Sequence, residues 1–292
     1  MSNNVHQPEP GQHWPPLQFE QISPVELVGE GFLFTEGPLW NQAQGYLLFS
    51  DISGNAIYKW VIPDKLEVFR RPSHNANGLA FDRKGNLLAA EHGARRVSRQ
   101  KPGGTIETLA DNYQGKRFHS PNDIAVRSDN TIYFTDPPYG LGRRPPELPF
   151  MGLYRIDPAG QIHLEGEYYH CPNGVAFSPD EKTLYLALTE ADEVVAMDVA
   201  ADGSTSNVRF FARVPYPDGI AVDLAGNIYV AGGKGVAVLT PEGTLLGTIV
   251  MPRVPANCAF AGPEGKWLII TARDHLYRAE VPIPGVLWGQ GY

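Results

Sequence analysis

The stretch Asn173-Gly174-Val175-Ala176-Phe177, followed by Thr183-Leu184-Tyr185-Leu186, shows the pattern that decides the fold. An oxygen-bearing side chain precedes a short apolar run, and a polar turn separates that run from a second apolar run. Two short apolar runs joined by a polar turn are typical of an antiparallel β-hairpin. The long apolar periodicity of helices is absent from the sequence, so we expect an all-β protein.

The same pattern occurs six times along the chain. Its first residues are separated by intervals of 41, 45, 51, 45 and 38 residues. The six units begin at Glu36, Asn77, Asn122, Asn173, Asp218 and Ala256. A repeat of about 40–50 residues with several strands per unit is typical of a β-propeller. The sequence therefore predicts an all-β, six-bladed β-propeller with four-stranded blades around a central channel.

The two ends of the chain predict how the ring closes. Unit one begins almost directly with its inner strand, so the N-terminal segment 25–33 is free to add an outer strand to the last blade, beside His275-Leu276-Tyr277-Arg278. Residues 1–16, rich in Pro, Gln and Asn, are predicted to be a disordered tail, and residues 17–292 a single propeller domain. The longest interval contains a Pro- and Gly-rich loop around Tyr139, which we expect to shape a pocket.

Composition limits the classes of partner. The 292 residues carry a formal net charge of −8, which argues against a nucleic-acid partner and accommodates a metal or small molecule. The sequence contains no run of about 18 apolar residues, so it predicts no membrane span. The N-terminus lacks a secretory signal pattern, and two cysteines fit reduced thiols, so we expect a cytoplasmic protein. The oligomeric state is unknown from the sequence.

Five of the six units begin with an oxygen-bearing side chain just before an inner strand. Because the innermost strands of a propeller crowd its axis, we expect these oxygens to converge on one face of the disc. A turn is the alternative for each Asn-Gly and Asp-Gly pair, since both dipeptides tolerate positive φ. Glu36 has no turn preference, and Asn122 is followed by Asp123 rather than glycine, so the set favours a shared ligand.

The chemistry of these side chains indicates a divalent cation. Near an axis without a cation, Glu36 and Asp218 would repel each other and lose hydration, and one would take up a proton. Hard oxygen ligands without His or Cys favour Ca²⁺, with Mg²⁺ and Mn²⁺ as alternatives, over Zn²⁺. The side chains supply about four of the 6–8 ligands that Ca²⁺ takes, which leaves positions for water or substrate.

The same residues resemble the SMP-30/gluconolactonase/LRE-like family, which includes regucalcin-type gluconolactonases and is similar to diisopropylfluorophosphatase. The match runs from about Phe34 to Val281. Its motifs are Phe34-Thr35-Glu36-Gly37-Pro38, Ser120-Pro121-Asn122-Asp123, Pro172-Asn173-Gly174-Val175-Ala176-Phe177-Ser178 and Pro217-Asp218-Gly219. Glu91-His92-Gly93 and Thr135-Asp136-Pro137-Pro138-Tyr139-Gly140 resemble the bacterial gluconolactonase branch.

This resemblance implies one catalytic cation, usually Ca²⁺, in the central pocket. The implied metal ligands are Glu36, Asn122, Asn173 and Asp218. The implied reaction is hydrolysis of a sugar lactone such as gluconolactone, in which the cation polarises the carbonyl and activates water. Asp218 is the candidate general base, and the alternative is that it only positions a water activated by the ion. Asp136 is a candidate for a second, structural cation, with a solvated loop aspartate as the alternative.

Polar residues around the ring are candidates for binding sugar hydroxyls. These substrate-binding candidates are Asn77, Arg117, His119, Asn122 and Tyr139. Tyr139 could stack on a sugar ring. His74 is interpreted as an exposed loop histidine and His92 as structural, and Asn257, which stands one place late in unit six, is left out of the ligand shell.

Two other functions remain open at this point. One is a lactonase or phosphotriesterase acting on a more apolar substrate. The other is a non-catalytic propeller that binds a ligand or protein and keeps the cation for stability. A Ser–His–Asp triad is not supported, because the Gly-x-Ser-x-Gly elbow and its strand-to-helix turn are absent from the sequence. The expected partner is a small-molecule lactone, with no nucleic acid and no membrane.

Overall fold

The computed structural model describes residues 14–61 and 65–287 of the chain. They form 26 β-strands and two single-turn 3₁₀ helices, Phe19–Gln21 and Thr189–Ala191. Within these ranges, no helix has the length and apolar character needed to cross a membrane. Most of the predicted N-terminal tail, residues 1–13, lies outside the described residues, and Trp14 packs partly buried against an apolar cluster drawn mainly from residues 221–283.

The strands are short and evenly spread. In chain order they are β1 (Glu26–Glu30), β2 (Thr35–Asn41), β3 (Tyr46–Asp51), β4 (Ala56–Val61), β5 (Lys65–Arg70), β6 (Ala76–Phe81), β7 (Leu87–Glu91), β8 (Arg96–Gln100), β9 (Ile106–Ala110), β10 (Asn112–Tyr113), β11 (Lys116–Arg117), β12 (Ile124–Val126) and β13 (Ile132–Asp136). The second half comprises β14 (Met151–Ile156), β15 (Ile162–Tyr168), β16 (Pro172–Phe177), β17 (Thr183–Leu188), β18 (Glu193–Val199), β19 (Thr205–Arg213), β20 (Pro217–Val222), β21 (Ile228–Gly232), β22 (Gly235–Leu239), β23 (Leu245–Val250), β24 (Asn257–Ala261), β25 (Trp267–Ala272) and β26 (His275–Glu280).

Six four-stranded antiparallel sheets arrange these strands as the blades of a propeller. Five blades are built from consecutive strands: β2–β5, β6–β9, β12–β15, β16–β19 and β20–β23. The sixth combines β24–β26 with β1, which pairs antiparallel with β26 through Glu26 opposite Arg278 and Glu30 opposite His275. The predicted six-bladed propeller and its closure by an N-terminal strand are confirmed. The small hairpin β10–β11 precedes the third blade.

The core lies between neighbouring blades. Aromatic rings meet edge to face across the blade boundaries, with centroids 5.1 Å apart for Tyr133 and Phe177 and 5.1 Å apart for Tyr229 and Phe260. Fully burying such a side chain contributes roughly 1.5–3 kcal/mol, so these contacts hold blade against blade. Every residue of β3 is buried because it lies between blades on both faces, which explains its unbroken apolar run.

The inner strands carry a β-bulge at the first residues of the repeat. The pairing register shifts between Glu36 and Leu39, and at the matching positions of β6, β16 and β20. A bulge interrupts the ladder and re-aims the side chains next to it. Gly78, Gly174 and Gly219 lie in these bulged strands without the left-handed φ of a turn, so the turn alternative is excluded for the three pairs.

The glycine after each tip residue allows the inner strands to approach the axis closely. The position holds Gly37, Gly78, Gly174 and Gly219 in four blades, and Asp123 in the third. A Cβ atom on Gly174 would lie 2.1 Å from the carbonyl oxygen of Asp218, and one on Gly37 would lie 2.1 Å from that of Asn77. The main chains of neighbouring tips are therefore in direct contact, and Gly78 donates a 2.7 Å hydrogen bond to the Asn122 carbonyl.

Side-chain hydroxyls add a second link between neighbouring tips. Ser50 at the end of β3 donates to the Asn77 carbonyl at 2.7 Å, and Thr135 in β13 donates to the Asn173 carbonyl at 2.8 Å. Thr189, just after β17, donates to the Pro217 carbonyl at 2.7 Å. Each bond joins the second strand of one blade to the inner strand of the next, so the ring of tips is fixed from outside as well as along the axis.

Gly174→Ala tests this close approach. The added methyl group has no room beside the Asp218 carbonyl, so we expect the free energy of unfolding, measured by urea titration, to fall by about 1–3 kcal/mol. Gly29→Ala in β1 is the matched control, because a Cβ atom there finds its nearest neighbour at an ordinary 3.5 Å. Equal stability of the two variants would show that the tips do not pack as described.

Candidate functional site

A cavity of about 540 Å³ opens on the face of the disc where the inner strands begin. Its floor is made by the tips of the inner strands. The chemically active side chains that line it are Glu36, Asn77, His92, Asn122, Tyr139, Asn173, Thr189, Tyr216, Asp218 and Arg273. The five oxygen-bearing tips of the repeat are therefore brought together, as the sequence predicted, and Tyr139 lies with them.

The asparagines of three successive blades form a chain of hydrogen bonds across the floor. The Asn77 amide donates to Oδ1 of Asn122 at 2.6 Å, and the Asn122 amide donates to Oδ1 of Asn173 at 2.5 Å. The Asn173 amide then donates to the Thr189 hydroxyl at 3.0 Å. This chain fixes the orientation of three amide groups whose oxygens would otherwise rotate freely, so the floor is ordered before any ligand enters.

His92 completes this chain, although the sequence indicated only a structural role for it. Its Nε2 lies 3.1 Å from Oδ1 of Asn122 and 3.4 Å from the Asn77 amide nitrogen. Burial lowers the pKa of His92 to about 4, and the nearby positive charge of Arg144 acts in the same direction. His92 is therefore a neutral imidazole at pH 7, in direct contact with the polar floor.

The carboxylates of the floor are strained electrostatically. Burial, followed by the charge of Asp123, raises the pKa of Glu36 to about 7, although its Oε2 accepts hydrogen bonds from the Gly37 backbone at 2.8 Å and Asn257 at 3.0 Å. Burial, followed by the charges of Glu36 and Asp123, raises the pKa of Asp218 well above its usual value. Asn257, left out by the sequence analysis, therefore holds Glu36 in place.

The floor suits a hard divalent cation by its donor set. Within residues 14–61 and 65–287, no three or more His, Cys, Asp or Glu side chains are grouped as metal ligands. The floor instead combines the carboxylates of Glu36 and Asp218 with asparagine amides. Oxygen donors of these two kinds are what Ca²⁺ takes in proteins, and a bound cation would offset the burial and the neighbouring negative charges that raise the pKa values of both carboxyls.

Residues 34–274 match the family described as SMP-30/Gluconolactonase/LRE-like region. The chain belongs to this family. It is 31% identical to the gluconolactonase of Zymomonas mobilis over 288 residues, which cover 88% of this chain and 81% of that protein. It is 27% identical to the pentonolactonase of Haloferax volcanii, covering 81% of this chain and 80% of that one.

Solved structures of similar proteins have the same fold. A gluconolactonase from Xanthomonas campestris is 35% identical and superposes with a TM-score of 0.83 over 88% of this chain and 89% of that chain. A regucalcin from Agrobacterium tumefaciens is only 18% identical but reaches a TM-score of 0.77 over 92% of this chain and 96% of that one. At that identity the second comparison supports the propeller alone.

Two of the predicted substrate-binding residues of this family member do not line the cavity. Arg117 is exposed, and its guanidinium donates to the Ala94 carbonyl at 2.6 Å. His119 is buried with Nε2 at 3.1 Å from the Leu148 carbonyl. Although both stand near Asn122 in sequence, Arg117 ends the hairpin β10–β11, and that hairpin holds it against the neighbouring loop.

Asp136 is not a solvated loop aspartate. It is fully buried, and its two carboxylate oxygens accept the backbone N–H groups of His119 and Ser120, each at 2.7 Å. Burial raises its pKa to about 7. The carboxylate fixes the segment that leads into Asn122. His74, another residue singled out by the sequence, does not line the cavity, and its carbonyl accepts a hydrogen bond from Gly93.

A second ring of residues lines the cavity and was not predicted from the sequence as part of the site, although His92 was named with a structural role. These residues directly follow the second strand of five blades: Ile52, His92, Thr189, Gly233 and Arg273. The reason is topological, because the second strand of an antiparallel hairpin returns to the face where the first strand began. Their position in the repeat is regular, because each residue comes one position after the second apolar run of its unit. They differ in chemical type, however, so the sequence gives no common side-chain property by which to recognise them.

The pH dependence of stability tests the electrostatics of the floor. Glu36 has a folded-state pKa raised from 4.5 to about 7, so its contribution to stability is present below pH 4.5 and is lost as pH rises towards 7. In a chelating buffer, Glu36→Gln should therefore gain stability over the parent chain on going from pH 5 to pH 8, by up to about 3 kcal/mol. Denaturant titrations at several pH values measure this difference.

Glu264→Gln is the control for this comparison, because that carboxylate is exposed and its pairing with Lys266 at the surface contributes little. Its stability difference from the parent chain should not change with pH. If Glu36→Gln behaves like the control, the carboxylate is not strained in the way described.

Proposed function

We propose that this chain is a hydrolase that opens a sugar lactone such as gluconolactone and depends on a divalent cation, with Ca²⁺ as the resident ion. Its relatives carry the names gluconolactonase, pentonolactonase and lactonase, so the chain is a lactone-hydrolysing enzyme of their family. The observation that carries the finer proposal is the meeting of two strained carboxylates with a fixed chain of amides at the floor of one cavity.

Glu36, Asn122, Asn173 and Asp218 would hold the cation. The donor set favours Ca²⁺ over Mg²⁺ and Mn²⁺ because the cavity is wide and four side chains leave room for further oxygen ligands, and Zn²⁺ is disfavoured by the lack of nitrogen or sulfur donors among them. When bound, the cation supplies Lewis-acid polarisation of the lactone carbonyl and lowers the pKa of water. Two carboxylates balance its charge.

Asp218 is the proposed general base. It would accept a proton from the attacking water as the water oxygen bonds to the carbonyl carbon. Returning that proton to the ring oxygen as the ring C–O bond breaks gives the hydroxy acid. Its place in the cavity lining and its raised pKa support this role. Because a carboxylate that also binds a cation is a weaker base, the alternative that Asp218 only positions the water stays open.

Other side chains of the cavity would bind and orient the sugar. Tyr139 and Tyr216 are 48% and 67% exposed, so their rings are available to stack on a sugar face. Asn77 donates to Asn122 and so holds a proposed ligand in position. His92, neutral at pH 7, can accept or donate a hydrogen bond without adding charge. The volume of about 540 Å³ is within the range of small-molecule sites.

One wall of the cavity supports a second candidate substrate class. Ile52, Val254 and Pro255 line it, and Val254 is 46% exposed. These apolar side chains favour a lactone or phosphotriester with an alkyl or aromatic substituent over one that carries hydroxyls on every carbon. A hydrolysis panel that includes an aliphatic γ-lactone separates the two candidates.

Removal of the cation tests the proposed dependence. Dialysis against a chelator, with the metal content followed by mass spectrometry, should lower the rate of gluconolactone hydrolysis at least 100-fold, because Lewis-acid assistance contributes several kcal/mol. Added Ca²⁺ should restore it. Full activity in demonstrably metal-free protein would contradict the dependence, and no hydrolysis of any lactone would contradict the function.

Asp218→Asn tests the proposed base. The amide keeps an oxygen near the cation but cannot accept a proton, so kcat should fall about 10²–10⁴-fold while the circular dichroism spectrum and the bound metal remain. Asp198→Asn is a control, since that carboxylate lies on the exposed outer part of the fourth blade. Normal turnover by Asp218→Asn would show that Asp218 is not the general base.

A further inference from the structure

Arg273 is the charged member of the second ring of cavity residues. It follows β25 in the turn to β26 and has a left-handed φ of +57°. Its carbonyl accepts the Thr35 backbone N–H at 2.6 Å and the Thr35 hydroxyl at 3.0 Å. The main chain of this turn is therefore tied to the first blade, immediately beside Glu36, which fixes where the side chain starts.

The Arg273 guanidinium is positioned but not neutralised. Its Cζ lies 5.3 Å from the centroid of the Phe34 ring, and both residues line the cavity. Across residues 14–61 and 65–287, it donates no hydrogen bond and forms no ion pair at contact distance. Its charge does act on Asp218, where it lowers the pKa and so opposes the rise caused by burial and by Glu36 and Asp123. Arg95 and Arg144 differ from it, because Arg95 pairs with Glu147 at 3.2 Å and Arg144 donates to the Gly93 carbonyl at 2.8 Å.

The charges around Arg273 leave it without a counterion when the proposed cation is present. Glu36 and Asp218 would balance that cation. Asp123 lines the narrow channel below the floor, where its carboxylate accepts the Val175 N–H at 3.2 Å, and it does not line the cavity. Asp218 is the carboxylate whose pKa Arg273 lowers, and once Asp218 balances the cation, Arg273 has no carboxylate of its own. A guanidinium binds planar or multidentate oxyanions best.

We propose that Arg273 recognises an anionic group on the substrate other than the reacting lactone group, so that the preferred substrates are acidic sugar lactones bearing a carboxylate or a phosphate. This inference rests on the proposed lactonase function and narrows its substrate class. The Phe34 ring holds the guanidinium without competing for its N–H donors. Those donors are then free to bind two oxygens of the anionic group side by side.

Steady-state kinetics on three lactones test this inference. The substrates are the neutral D-glucono-1,5-lactone, the carboxylate-bearing D-glucaro-1,4-lactone and 6-phospho-D-glucono-1,5-lactone. For the parent chain we expect kcat/KM to be at least 10-fold higher for one of the two acidic lactones than for the neutral one, and the better of the two identifies the anion. Arg273→Met should lower that value relative to the value for the neutral lactone 10- to 100-fold, mainly through KM, because any effect of the lost charge on Asp218 is common to all three substrates.

Arg143→Met is the matched control. Arg143 is an exposed arginine of the loop after Tyr139 that does not line the cavity, so its removal should leave all three values unchanged. Arg273→Lys keeps the charge but not the planar pair of donors, and it should recover only part of the loss.

A binding measurement gives a readout independent of turnover. Calorimetry of the Ca²⁺-loaded protein should show D-glucarate binding at least 10-fold more tightly than D-gluconate, and Arg273→Met should abolish the difference. Two results would overturn the inference while leaving the lactonase proposal intact: a parent chain that prefers the neutral lactone, or an Arg273→Met variant that loses activity equally on all three. If no lactone is hydrolysed, the proposed function fails, and the calorimetry still decides whether Arg273 binds the second carboxylate that distinguishes D-glucarate from D-gluconate.

Discussion

The cavity depends on how closely six inner strands approach one axis. Glycine at the second position of the tip lets the main chain of one blade touch that of the next, and hydroxyl groups such as those of Ser50 and Thr135 fix the contact. Because the main chains are in contact, the side chains just before the glycines have only the axis to point towards. The close packing of the ring therefore limits which side chains the tips can carry, because each tip side chain must fit the size, charge and hydrogen bonding of its neighbours.

The asparagine tips of this chain are compatible with their neighbours, whereas the two carboxylate tips are not. The asparagines satisfy one another by donating amide to carbonyl along a chain that ends on Thr189. Glu36 and Asp218 have no comparable solution, because burial and the charge of Asp123 raise the pKa of both carboxyls, and the charge of Glu36 raises that of Asp218 further. Stability alone would favour neutral groups here. Strain of this kind, concentrated in a cavity, is characteristic of a site that is completed by a ligand, and a divalent cation is the ligand that removes it.

The sequence predicted what repeats and missed what does not. Six copies of one pattern were enough to predict the number of blades. The unpaired strand that precedes the first copy was enough to predict how the ring closes. The tip residues could be predicted because they share oxygen chemistry. Arg117 and His119 were proposed from their distance in sequence to Asn122, but the hairpin β10–β11 and the buried Asp136 hold that segment away from the cavity. Asn257 was omitted because its unit is shifted by one residue. It stands where four other units have glycine, and its side chain reaches Glu36.

The central claim is that Glu36, Asn122, Asn173 and Asp218 together hold one divalent cation at the axis of the propeller. Anomalous diffraction from crystals grown with Mn²⁺ in place of Ca²⁺ tests it most directly, because the peak locates the ion independently of any activity. The account predicts a single strong peak at the cavity floor, within coordination distance of oxygen atoms from all four side chains. A floor without a peak, or a peak bound by other residues, would contradict it.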